Sequence, residues 1–336
     1  MKKNRVILLS VLLVFAVSTL LAGCGSSKPA AAPAAAQEKI VLKAADNQIE
    51  GYPTVEGLKY MAKVLNEKTN GRITMQIYSG GQLGGEKETI EMIQAGTLAI
   101  NRISTGSLAG FNSKLTAYTM PFVFRDSAHM WKVLEGKLGQ ELLKDLEKDG
   151  MVGMAYYDSG ARSFYTRGKA INAPTDAKGM KLRVLQSDVF VKFVDTLGAS
   201  ATPMGYAEVY SGLQTGLIDG AENNPPSLWS MKHYETCKFY ALDEHMMVPE
   251  VVVIGKKAWD KLSPEDQKLI ADTAKESSTV QKKLWADYSD KALKEIEAKG
   301  VTVSRPDKEA FRKAVAPMYE KYPQYKEIIS QIQAVQ

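Results

Sequence analysis

The stretch from Ser263 to Lys299 is the strongest constraint on this 336-residue chain. Ser263-Pro264-Glu265-Asp266 combines an N-cap serine, a proline at the first helical position and acids in the first turn. After Pro264 no glycine or proline interrupts the pattern until Gly300. Leu269, Thr273, Val280, Leu284, Tyr288 and Ile296 fall along a slowly drifting stripe. Thirty-seven residues at 1.5 Å each make a helix of about 55 Å. That exceeds the width of a single 150-residue domain, so an unbroken helix must lie across two. The alternative is two helices divided near Ser277-Ser278-Thr279.

The N-terminus reads Met1-Lys2-Lys3-Asn4-Arg5, then an apolar run from Val6 to Leu21, then Ala22-Gly23-Cys24. The run is short for a membrane span, which takes about 20 residues, and it has the basic and small-residue flanks of a secretory signal. Leu21-Ala22-Gly23-Cys24 resembles a bacterial lipobox, which implies a signal peptide over 1–23 and a lipidated Cys24. Residues 24–38 then read as a lipid-anchored tether, because Gly25 to Gln37 holds no large apolar side chain. Removing 1–23 leaves 313 residues, room for two domains. The precursor charge of +5 falls to +2 when Lys2, Lys3 and Arg5 leave. With no basic block elsewhere, nucleic acid is not an expected partner. Once Cys24 is lipidated only Cys237 remains, so no intrachain disulfide is expected, and Cys237 reads as a buried small hydrophobe.

From Lys39 an α/β rhythm begins. Ile40 to Ala45 is a strand candidate, Thr54 to Lys68 a helix, and Ile73, Met75 and Ile77 alternate as a second strand. Gly80 to Gly85 form a loop into a helix from about Lys87 to Ala95, and Leu98 to Ser104 suits a third strand. Ile93-Gln-Ala-Gly-Thr-Leu98 and Leu213-Gln-Thr-Gly-Leu-Ile218 are alike. Each is a helix C-terminus with a capping glycine before an extended apolar segment. Two copies of one supersecondary unit, or chance similarity over six residues, both fit.

No nucleotide, P-loop or nucleophile-elbow signature is present. Glu86 after the glycines disfavours an anion there. His129, His233 and His245 show no metal-ligand spacing, and neither a metal nor another cofactor is expected. What stands out is arginine at element ends. Arg162 lies in Asp158-Ser-Gly-Ala-Arg-Ser-Phe-Tyr165 and Arg183 in the short strand pattern Gly179-Met-Lys-Leu-Arg-Val184. A guanidinium can pair both oxygens of a ligand carboxylate; solvent exposure, or pairing with structural acids, is the alternative.

Five segments, in this order, resemble one family. They are Gln82-Leu-Gly-Gly-Glu86, the Arg162 segment, Lys178 to Val184, Thr202-Pro-Met-Gly-Tyr-Ala-Glu-Val-Tyr210 and Leu213 to Asn224. The family is the substrate-binding proteins of tripartite ATP-independent periplasmic (TRAP) transporters, and the similarity covers nearly the whole chain from Lys39. It implies a two-domain α/β fold of the periplasmic-binding-protein kind (type II-like). The ligand cleft lies between the domains, crossing strands join them, and a long helix spans both. On this pattern domain I takes 39–160 plus about 249–288, and domain II about 161–248 plus 289–336. The resemblance further implies a monomeric extracytoplasmic receptor, not an enzyme, that closes on an organic acid and delivers it to a small and a large membrane permease subunit. Arg183 would bind the ligand carboxylate, Asn223 would orient it, and Arg162 matches a second arginine position. Tyr206 would wall the cleft. Asn47 and Glu86 would meet the distal part of the ligand, with Arg102 and Ser104 also facing the cleft.

Glu222-Asn-Asn-Pro-Pro226, Asp243-Glu-His245 and Val248-Pro-Glu250 look most like sugar-acid receptors of that family, which makes a uronate, aldonate or keto-sugar acid the expected ligand. Other readings stay open. They are a receptor for a dicarboxylate or other carboxylate, a sensor or ATP-driven transport receptor, and a secreted sugar-active enzyme. The last needs two carboxylates about 5–10 Å apart, for which Glu86 and Glu222 can be imagined.

Overall fold

The computed structural model describes residues 38–336. The signal peptide, Cys24 and nearly all of the tether lie outside the described residues. Eleven strands follow in chain order: β1 (Ile40–Ala45), β2 (Ile73–Tyr78), β3 (Ile100–Ser104), β4 (Met151–Tyr157), β5 (Ala161–Thr166), β6 (Lys181–Val184), β7 (Ser200–Pro203), β8 (Gly220–Asn223), β9 (Phe239–Met247), β10 (Glu250–Gly255) and β11 (Thr302–Ser304). They form two sheets, ordered β2-β1-β3-β10-β4 and β11-β9-β5-β8-β6-β7.

The two sheets repeat one plan. In the first, β1 pairs parallel with β2 and β3, and β10 runs antiparallel between β3 and β4. In the second, β6 pairs parallel with β7 and β8, and β5 runs antiparallel between β8 and β9. The similar hexapeptides hold the same place in each copy. Gly96 closes the helix Glu86–Ala95 before β3, and Gly216 closes the helix Val209–Thr215 before β8. Both glycines are left-handed, at φ 83° and 76°. Each copy therefore brings the carboxyl ends of three parallel strands to one edge, where open α/β sheets bind ligands.

The chain crosses between sheets at Asp158–Gly160, after β4, and again at Val248–Pro249, before β10. The Ser159 hydroxyl donates to the Val248 carbonyl and ties the two crossings together. Gly160 has φ 60°, and a Cβ there would lie 3.2 Å from the Trp285 indole nitrogen.

The long helix is single and continuous, Pro264–Ala298, with the Ser263 hydroxyl accepting from the Asp266 amide. It packs on the helix Pro53–Lys68 and on β4 at one end and on the helix Pro225–Ser230 at the other. The serines that offered a break are bonding groups. Ser277 Oγ lies 2.7 Å from the Tyr157 hydroxyl, and Ser278 donates to the Tyr156 carbonyl. The buried stripe also differs from the expected one. It runs through Asp266, Ile270, Thr273, Ala274, Ser277, Gln281, Trp285, Ala292 and Ile296, so Thr273 and Ile296 are buried as expected while Leu284 is 36% exposed. Its middle is polar because it covers backbone at the crossing, not another apolar face.

The C-terminal segment divides between the lobes. The helix Lys308–Tyr319 packs on the helix Asp188–Thr196 and on β9, but the last helix, Lys326–Ala334, packs on Leu115–Tyr118 of the first lobe. Arg125 caps that last helix through the carbonyls of Gln333 and Val335. Among the described residues no helix is long and apolar enough to cross a membrane.

Gln281 grips the crossing from both sides. Its Oε1 accepts from the Asp158 amide at 2.7 Å and its Nε2 donates to the Asp158 carbonyl at 2.8 Å. Gln281→Ala leaves both backbone groups without partners and is expected to cost about 1–3 kcal/mol, measured by urea unfolding. A value near zero would show that the helix does not hold the crossing.

Candidate functional site

Between the sheets lies a cavity of about 30 Å³. A larger space of about 350 Å³ adjoins it, sharing Asn47, Glu86, Arg183, Leu185 and Tyr206 as lining. All eight side chains expected at a ligand site line the smaller cavity: Asn47, Glu86, Arg102, Ser104, Arg162, Arg183, Tyr206 and Asn223. The lobes touch directly around it. The Tyr52 hydroxyl, from the first lobe, is 3.1 Å from Ser227 Oγ and 3.3 Å from Asn224 Oδ1 of the second.

The arginines have different circumstances. Arg162, on β5, is committed to protein partners. Its Nε and Nη2 take both carboxylate oxygens of Glu222 at 2.5 and 2.9 Å, Nη2 also donates to the Glu222 carbonyl, and Nη1 donates to Asn223 Oδ1 at 3.0 Å. The Glu222 side chain is fully buried. Burial alone would raise its carboxyl, but Arg162 and His245 bring it down to about 2. An ionised, enclosed carboxylate is no general acid, and Glu222 does not line the cavity.

Arg183, on β6, is the opposite case. It is 1% exposed, although alternation along its strand allowed a solvent face. Parallel sheets are covered on both sides, which explains the difference. Its Nε and Nη2 both donate to the Met204 carbonyl, at 3.2 and 2.8 Å. Nη1 has no partner and no carboxylate pairs with the group. Burial depresses its affinity for the proton, Glu222 works the other way, and Arg162 adds like-charge repulsion. The Tyr206 ring lies 5.9 Å from its guanidinium carbon.

Arg102, on β3, is a hub and not a free donor. It reaches Asp46, Asn47 Oδ1 at 2.5 Å, Glu86 Oε1 at 3.1 Å and Glu250 Oε2 at 2.7 Å. Glu86 begins its helix and is also saturated. Its oxygens take Arg102, the Ser104 amide and hydroxyl, and the Ser107 hydroxyl at 2.5 Å. Arg102, Glu86 and Ser104 thus set the wall in place; Glu86, expected to meet the distal part of the ligand, lines the cavity with its oxygens already bonded to protein donors. Gln48, Tyr52, Thr54, Ser159, Leu185, Asn224, Ser227 and Glu250 complete the lining. Two of these carry a sequence signal. Asn224 before Pro225-Pro226 is a helix N-cap, and Glu250 heads the apolar run Val251–Ile254, where an acid must find a partner.

Five buried polar atoms without partners belong to the lining of this one cavity: Arg183 Nη1, Arg102 Nε, Gln48 Oε1, Thr54 Oγ1 and the Tyr206 hydroxyl. Such clustering is unusual in a folded interior, where buried polar groups are normally satisfied. It marks a surface shaped for something both anionic and hydroxylated.

The charge arrangement makes a stability prediction. Glu222→Ala strands the Arg162 cation and is expected to cost about 3–5 kcal/mol. Arg183→Ala removes a buried charge with no counter-ion and is expected to leave the ligand-free protein as stable as before or more so. Thermal unfolding of both variants checks this; equal destabilisation would mean Arg183 is compensated after all.

Comparison with known proteins agrees with this architecture. Residues 44–325 match the model of the bacterial extracellular solute-binding proteins, family 7. A solute-binding protein of Chromohalobacter salexigens is 32% identical over 290 residues, 85% of this chain and 86% of that one. The structure of a TRAP periplasmic solute-binding protein from Xanthobacter autotrophicus Py2, with bound β-D-galacturonate, superposes at a TM-score of 0.85. It is 44% identical and covers 88% of this chain and 100% of its own. A Pseudomonas putida F1 counterpart with bound D-glucuronate gives 0.86 at 39% identity, covering 88% and 98%. The chain is a member of the bacterial extracellular solute-binding protein family 7, the solute receptors of TRAP transporters.

Proposed function

We infer that this receptor binds a sugar acid of the uronate or aldonate type, holding its carboxylate on Arg183 and its hydroxyls against the opposite wall. The observation that carries the reading is the buried Arg183 guanidinium with an unpaired Nη1 and no carboxylate partner. A ligand carboxylate supplies the missing charge. Asn223 Oδ1 is already taken by Arg162 and the Asn224 amide, so its amide nitrogen is the group left to orient the ligand. Asn47 stands likewise across the cleft, with Oδ1 held by Arg102. Gln48, Thr54 and Tyr206 offer the polar atoms that sugar hydroxyls satisfy. The uronates bound by the related structures support the same class.

The work of such a protein is closure, not catalysis. A ligand touching both sheets stabilises the arrangement in which they meet. The two bodies that move are 39–160 with 249–288, and 161–248 with 289 onward as far as the helix Lys308–Tyr319. The crossings at 158–160 and 248–249, and the passage of the continuous helix Pro264–Ala298 through 288–289, are the hinge. The closed receptor delivers its acid to a small and a large membrane subunit as a monomer. Lipidation of Cys24 keeps it at the outer face of a membrane, and mass labelling of the mature N-terminus tests that part.

Calorimetric titration tests the ligand. D-glucuronate or D-galacturonate is expected to bind, and Arg183→Ala to weaken that binding by about 2–5 kcal/mol, as for one partner of a buried charge pair. Binding of C4 dicarboxylates with no response to hexuronates would sink the sugar-acid reading. An Arg183→Ala variant of unchanged affinity would sink the carboxylate assignment.

A further inference from the structure

The cavity is electrically divided, and each wall comes from a different sheet. The wall from the six-stranded sheet carries Arg162 and Arg183 against Glu222. Behind Glu222, His245 Nδ1 lies 2.7 Å from Asp243 Oδ2. Burial works against a charged imidazole, but Asp243 and Glu222 hold His245 above its ordinary value. At the wall itself two arginines face one carboxylate, an excess of one cation. The wall from the five-stranded sheet carries Asp46, Glu86 and Glu250 around a single cation, Arg102. It is negative by up to two charges.

The unpartnered atoms of the lining divide in part the same way. On the positive wall they are the cationic donor Arg183 Nη1 and the Tyr206 hydroxyl. On the negative wall Gln48 Oε1 is an acceptor, beside the Thr54 hydroxyl. One donor, Arg102 Nε, is also unpaired there. A single N–H suits a hydroxyl or ring oxygen but does not offset the surplus of negative charge.

The geometry points to a second-acid filter: the receptor takes polyhydroxy acids with one carboxylate and rejects the same carbon skeleton oxidised to a carboxylate at both ends. This rests on the sugar-acid reading above. A first carboxylate neutralises the positive wall. A second would meet Glu86 and Glu250, which line the cavity and share Arg102 with Asp46 behind them, in a largely buried site where like charges repel strongly. Four donors already hold Glu86 in place, so it cannot withdraw from the newcomer. Hydroxyls and a hemiacetal present donors to this wall instead, which is what its acceptors require.

The test pairs each uronate with its own aldarate on the mature protein, by calorimetry. D-glucuronate and D-glucarate share their configuration, as do D-galacturonate and galactarate; oxidation at C1 adds the second carboxylate and opens the hemiacetal ring, so the Glu250→Gln variant below is the arm that separates charge from shape. The aldarate is expected to bind more than tenfold more weakly than a uronate that binds. An aldarate within tenfold of its bound uronate would overturn the filter and leave the sugar-acid reading standing. If neither uronate binds, the sugar-acid reading itself fails. Glu250→Gln removes one negative charge and is expected to narrow the ratio at least fivefold, with thermal unfolding checking that the variant folds.

Wild-type protein supplies a second measurement. Burial pushes Glu250 up to about 7, opposed by Arg102 and reinforced by Glu86 and Asp46. Lowering the pH from 8 to 6 protonates it and is expected to narrow the same ratio. Titration of His245 acts on the first carboxylate, common to both ligands, and leaves the ratio unmoved. A ratio insensitive both to the variant and to pH would overturn the assignment of the filter to this cluster.

Discussion

A guanidinium enclosed by protein without a carboxylate to meet it is a costly thing to fold, and the structure around Arg183 exists to keep it so. Burying an ion costs several kcal/mol, and the cost is recovered only by a well-placed counter-charge. Arg162 shows the recovered case two strands away, with both oxygens of Glu222 and the side chain of Asn223 around it. Arg183 receives a single backbone carbonyl. The contrast gives the site its direction. Whatever restores the balance must be anionic, must reach between the sheets, and must accept the geometry that Met204, Tyr206 and Asn223 impose.

The repeated β-α-β-α-β plan explains why so few residues suffice. Each copy directs the ends of its parallel strands at the same gap. Asn47 follows β1 and Arg183 lies near the end of β6; Arg102 sits in β3 and Asn223 ends β8. Matching Gly96 with Gly216 sets Arg102 against Glu222, one equivalent pair that has taken opposite charge. One copy ends in an acid-rich hub around Arg102, the other in an arginine-rich one around Glu222. A symmetric scaffold has become a polar cavity through side-chain choice alone.

Sequence made the large features plain. The capped start at Ser263 and the glycine-free run behind it pointed to a helix across two lobes, and the paired glycine caps at Gly96 and Gly216 to a repeat; the structure decided each against its alternative, a break near Ser277 and a chance likeness. Motif order identified the family and brought all eight expected side chains to the cavity. What it missed has a physical cause. Whether an arginine is free or spent depends on partners far along the chain. Arg102 is satisfied from 16, 55, 56 and 148 residues away, and no local pattern records that. That Glu86 lines the cavity with its oxygens already taken is hidden for the same reason. Gln281, in the middle of an apparently apolar stripe, is buried because it serves the backbone at the crossing.

The position of β10 has a consequence for how this chain comes to be folded. It inserts between β3 and β4, yet it is made only after the whole of the second sheet except β11. The first lobe therefore cannot close its sheet, nor Arg102 meet Glu250, until about residue 255 has emerged. Contacts this distant in sequence slow folding, because loop-closure entropy is lost before they form. For a chain that must cross a membrane before it works, that delay is an asset. The lobe nearest the N-terminus stays unfinished, and hence threadable, through most of its synthesis.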